Sequence, residues 1–168
     1  MSQEKRPARK KSWRRRIAAM LVIVGPIFAI CLVRMGVISR QPDDLGPNNG
    51  QLRGCPPSPN CVSSQSTDTE HSIEPLTFDG TAEDALVRLQ RVIEQMPRST
   101  IISTDELYLH AEFETWLFRF VDDVEFQIDA EAKQIQVRSA SRTGYSDLGA
   151  NRSRVEVMRA AWIQASER

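Results

Sequence analysis

The run RSASRTGYSDLGANRSR, Arg138 to Arg154, concentrates four arginines, four serines, two glycines and a tyrosine between a strand-like and a helix-like segment. Gly144 and Gly149 permit positive φ and close backbone approach, and a helix starting near Asn151 offers unpaired N–H groups at the positive end of its dipole. With guanidinium forks and hydroxyls added, the loop could cradle a phosphate, sulfate or carboxylate through Arg138, Ser141, Arg142, Tyr145, Asn151 and Arg152. An internal use is equally concrete: Arg138 and Arg142 could pair with Asp122, Asp123 and Asp147 and hold the loop to a sheet. Arg152 falls in the first helical turn, where a cation opposes the dipole, so a negative group is expected beside it. Arg142, Tyr145 and Arg152 are the expected contact residues.

The second chemical feature is CPPSPNC, which sets Cys55 and Cys61 six positions apart around three prolines. Zinc would need two more soft ligands, whereas His71 and His110 stand in unrelated contexts, and redox pairs typically use a two-residue spacer. In an oxidising compartment the pair fits a local disulfide. No metal site and no cofactor is expected. Catalysis finds little support: Asp122 and Asp123 are adjacent, so a strand points them to opposite faces, and no nucleophile elbow or nucleotide-binding loop is present.

The elements that must position these groups follow from periodicity. TAEDALVRLQRVIEQM starts with Thr81 as N-cap, sets Leu86, Leu89, Val92, Ile93 and Met96 on one face, and is ended by Pro97. TIIST and LYLHAEFET read as strands, and DVEFQID with QIQVRSA as a hairpin. NRSRVEVMRAAWIQA reads as a helix with Asn151 or Ser153 as N-cap and Val155, Met158, Trp162 and Ile163 inward. The expected fold is α+β, a two-layer sandwich of about four antiparallel strands with two helices on one face. The other face, with His110, Glu112, Glu125, Gln127, Gln136 and Arg138, is expected to be solvated.

Of the 168 residues, 1 to 40 carry ten basic side chains against Glu4, and 41 to 168 carry twelve basic against twenty-one acidic. The two parts are thus +9 and −9, and an acidic domain has no footprint for nucleic acid. The basic arm, residues 1–16, leads into seventeen uncharged residues from Ile17 to Val33, which include Cys31. A transmembrane anchor over 17–38 follows, with a cytoplasmic N-terminus, a linker over 39–51 and an extracytoplasmic domain over 52–168. The expected location is the cell inner membrane, single-pass, with a periplasmic domain.

CP-x-SPNCVSS from Cys55, FVDD from Phe120 and RSASR-x-GYSDLG-x-NR from Arg138 together resemble the domain of unknown function 1499 family (DUF1499) over nearly all of Leu52 to Met158. The resemblance implies an exported, membrane-anchored or organellar protein and brings no reaction with it. The expected function is a membrane-anchored extracytoplasmic binding or interaction module, with an anionic small molecule or an envelope protein as partner. The alternative is a small envelope hydrolase or transferase using the same Arg/Ser/Tyr loop.

Overall fold

The computed structural model describes residue 13, residues 16–18, 20–28 and 30, and residues 40–116 and 119–166. The chain divides into two compact units, Met1–Ile38 and Ser39–Arg168. In the first, residues 16–18, 20–28 and 30 are helical, and Met20, Leu21, Val22, Ile23 and Phe28 are exposed. Among the described residues no helix is long and apolar enough to cross a membrane. Of the anchor expected over 17–38, residues 19, 29 and 31–38, Cys31 included, lie outside the described residues, as does most of the arm 1–16.

The second unit is α+β. Its strands are β1 (Cys61–Ser63), β2 (Leu76–Thr77), β3 (Ser99–Asp105), β4 (Tyr108–Glu114), β5 (Val121–Asp129) and β6 (Gln134–Ser141), with helices α1 (Ala82–Glu94) and α2 (Ala150–Ser166). They form one antiparallel sheet in the order β1-β6-β5-β4-β3, with β2 also on β6. Six strands replace the expected four, because β1 and β2 are three and two residues long and too short to show alternation.

Thr81 caps α1 as its sequence requires: its hydroxyl accepts the Asp84 amide at 3.0 Å and donates to the Asp84 carboxylate at 2.7 Å. Ala85, Leu89, Val92 and Ile93 of α1 and Val155, Met158 and Trp162 of α2 close on Leu109, Val124, Phe126, Ile135 and Val137 of the sheet. Burial of each large aliphatic or aromatic side chain there contributes about 1.5–3 kcal/mol. Ile163, expected inward, is 52% exposed. Trp162 takes the inward position beside it and donates its indole N–H to the Thr77 carbonyl at 2.9 Å.

The opposite face differs from expectation. His110, Asp123, Glu125 and Arg138 are at most 4% exposed. A strap, residues 44–54, meets this face at Glu125. The Gly46 amide donates to Glu125 Oε1 at 2.8 Å, and the Leu52 amide to Gln65 Oε1 at 2.7 Å. Leu52 is buried outside the main core. Asn48 and Gln51 exchange backbone bonds of 2.8 and 3.1 Å around Asn49 and Gly50, both left-handed, as a two-residue hairpin turn demands. Cys55 and Cys61 form a disulfide with an S–S distance of 2.05 Å that ties the end of the strap to β1.

Candidate interaction site

Adjacent carboxylates on β5 point to opposite faces, and each anchors a different arginine of the 138–154 motif. On the strap side Asp123 receives Arg142 as a fork, from Nε at 2.8 Å and Nη2 at 2.6 Å, and holds His110 Nε2 at 2.8 Å. Glu112 accepts from the same Arg142 Nη2. Arg138 Nη1 donates to Glu125 Oε2 at 3.0 Å, while the Tyr108 hydroxyl donates to Oε1 at 3.0 Å. Strand register explains the set, since Glu125 lies opposite both His110 and Arg138, and Asp123 opposite Glu112.

Burial alone would raise the Asp123 carboxyl, but hydrogen bonds from Arg142 and His110 outweigh it and hold the group below the usual carboxylate range. Burial works against the charge on Arg142 as well, and the bonds to Asp123 and Glu112 more than compensate, so its pKa is raised. Burial pushes the Tyr108 phenol up, helped by the negative charge of Glu125. The tyrosine is therefore a neutral donor.

On the helix side Asp122 pairs with Arg154, whose guanidinium lies 5.1 Å from the centre of the Phe113 ring. Arg154 Nη1 also donates to Asn151 Oδ1 at 2.6 Å and Ser139 Oγ at 3.0 Å. Buried Asn151 completes the knot, donating to the Asn60 carbonyl at 2.9 Å and to Ser141 Oγ at 3.0 Å. Asn60 in turn donates to the Gly144 carbonyl at 2.7 Å. The loop is thereby pinned at its root.

The structure thus separates the sequence-predicted site residues. Arg138, Arg142 and Arg154 are engaged by carboxylates, with Glu125 and Glu112 as partners that the sequence reading missed. Arg152 Nη1 and Nη2 each donate at 2.8 Å to backbone carbonyls, of Ser72 and Glu70, so neutral peptide oxygens stand where a negative group was expected. Asn151 does not cap the helix. Asp147 does, accepting the Asn151 amide at 2.7 Å and the Gly149 amide at 3.0 Å. The turn reaches back this far because Leu148 (φ +55°) and Gly149 (φ +81°) are both left-handed.

The loop turns two large side chains outward. Tyr145 is 76% exposed and Leu148 96% exposed. Beside its helical end lies a hollow of about 380 Å³ lined by Phe113, Trp116, Ala150 and Val157 among others, with Trp116 itself exposed. Elsewhere, ligand atoms of Asp68, Glu70 and His71 lie within 4.8 Å of one another. His71 Nδ1 is spent on Asp68 at 2.7 Å and Nε2 on the Ser58 carbonyl at 3.2 Å, so the ring locks a turn.

No curated protein matches the chain. The family model described as protein of unknown function (DUF1499) matches residues 51–162, a span holding the strap's disulfide, the whole sheet and the pinned loop. With more than half of its length matched, including every motif element described above, the chain belongs to the DUF1499 family.

Proposed function

We propose that this protein is a membrane-anchored extracytoplasmic interaction module whose contact surface is the loop from Arg142 to Gly149. The observation that carries the reading is Leu148: a leucine held at φ +55° with 96% of its surface exposed. A left-handed leucine costs about 1–2 kcal/mol, and burial returns nothing here. The hydrogen bonds of Asn60, Asn151 and Asp147 maintain that conformation, which suits display better than packing. Tyr145 beside it adds the amphipathic ring that interfaces favour.

A protein of the cell envelope suits such a surface. A small anion would have to compete with Asp122, Asp123, Glu112 and Glu125 for Arg138, Arg142 and Arg154. Anchoring is supported by the uncovered apolar side chains of Met20 to Phe28 and by the basic arm before them, which keeps the N-terminus cytoplasmic. The disulfide suits an oxidising, periplasmic side of the inner membrane.

A photo-cross-linking amino acid at position 148 of the full chain, in its native cells, tests the reading. A discrete adduct from position 148, absent when the same group sits at exposed Glu83, is expected. Identical adduct patterns from both positions, or none from 148, would overturn it.

A further inference from the structure

The strap-side face is incompletely satisfied. Arg138, 4% exposed, has its Nε buried with no hydrogen-bond partner, and so has Gln127 Oε1. Both sit around Glu125: Arg138 directly opposite it on β6, and Gln127 two residues along β5 on the same face. Buried donors and acceptors are rarely left in this state, because their lost hydration goes uncompensated.

The strap engages the same group by main chain, through the Gly46 amide on Glu125 Oε1 at 2.8 Å. Of residues 44–54 only Leu52 is buried, and the Arg53–Asp44 pair is exposed. The segment's other outside bonds go to Gln65, from the Leu52 amide and to the Gly50 carbonyl, and the disulfide fixes its far end to β1. Beneath it the face is preformed on the β4-β5-β6 ladder, with its charges already paired.

We propose that the face formed by Tyr108, Glu125, Gln127 and Arg138 is a binding site for an extended peptide, and that residues 44–54, which turn back at Asn48–Gln51 and so engage it at Gly46, are a partial built-in occupant. An extended chain alternates N–H and C=O groups, and the face needs both: an N–H for Glu125, a C=O for Arg138 Nε and a further N–H for Gln127 Oε1. The strap supplies the first. A segment supplying all three would displace it, swinging the strap about Cys55. This site stands apart from the 142–149 loop and does not depend on that reading.

The probe is a labelled peptide, DDLGPNNGQLRG, copying residues 43–54, added to the detergent-solubilised full chain and followed by fluorescence anisotropy. A Leu52→Ser variant, whose strap is loosened, should bind it saturably and more tightly than wild type, where the attached strap competes. N-methylation of the peptide at the glycine matching Gly46 removes the donor to Glu125 and should weaken binding about tenfold or more. The same change at the glycine matching Gly54 should leave binding unaltered. Should the variant fail to fold, excess peptide on the wild-type chain must accelerate exchange of the Gly46 amide, and the Gly46-methylated peptide must not. No saturable binding, equal binding of the two methylated peptides, or unchanged exchange would make the strap a structural cover only.

Discussion

Asp122 and Arg154 form the pair on which the loop's root depends, with side chains 2% and 11% exposed. Arg154→Ala leaves a buried carboxylate alone, and the expected loss is about 3–5 kcal/mol of unfolding free energy by denaturant titration. The Asp122→Ala/Arg154→Ala double variant should lose less than the two single changes added. Additive losses would show that the pair is not coupled. Leu148→Gly should behave oppositely. It relieves a left-handed leucine, and the gain of about 1–2 kcal/mol is offset by the greater chain entropy of unfolded glycine, about 0.5–1 kcal/mol. A change beyond about 2 kcal/mol in either direction would contradict the display reading.

His71 carries the pH dependence that can be read here. The Asp68 hydrogen bond raises its pKa above the ordinary 6.5, and Asp68 falls below its ordinary 3.8 through the Glu70 amide and His71. A raised histidine stabilises fully below the ordinary value and loses that contribution as pH climbs through the folded value. A lowered carboxyl loses its contribution as pH falls through its own depressed value. The stability penalty of His71→Gln should therefore be greatest near about pH 5 and shrink by about pH 9 in a series of melting curves. A penalty that grows with pH would reverse the assignment.

Among the elements, α1 and the β5–β6 hairpin were legible because their signals are local: a cap with 3.6-residue periodicity in one, strict alternation across a short turn in the other. β1 and β2 were not, since two or three residues carry no period. The burial of His110, Asp123, Glu125 and Arg138 was illegible for a different reason. Alternation identifies a polar face, but the strap meets it through the Gly46 main chain, 79 residues from Glu125, and a backbone amide leaves no trace in residue type. The cap of α2 was misplaced by four residues because nothing in a leucine announces a left-handed turn. The motif arginines were recognisable as a group, whereas their pairing with Glu112 and Glu125 needed the strand register. Reduction of Cys55–Cys61 should cost about 2 kcal/mol on the loop-entropy model for so short a ring. Its effect should be local, with amide exchange rising over residues 40–54 and little altered in α1. Uniform acceleration across both would mean that the disulfide supports the whole domain.

The whole molecule joins a +9 segment to a −9 domain; in the proposed topology it is the Lys and Arg of the segment that would keep the N-terminus cytoplasmic and leave the domain on the far side. A C-terminal alkaline phosphatase fusion should be active and a cytoplasm-only reporter silent. The reverse would invert the topology. The proposal that the domain is an interaction module rests on a loop that is fixed by hydrogen bonds at its root and turns Tyr145 and Leu148 outward. Binding and stability should therefore separate in a Tyr145→Ser/Leu148→Gly double variant carrying a photo-cross-linker at exposed Ser146. The expected result is an unfolding midpoint within about 3 °C of wild type, equivalent to under about 1 kcal/mol for a domain of this size, together with loss of the adduct that wild type gives. A large fall in the midpoint, or an undiminished adduct, would contradict it.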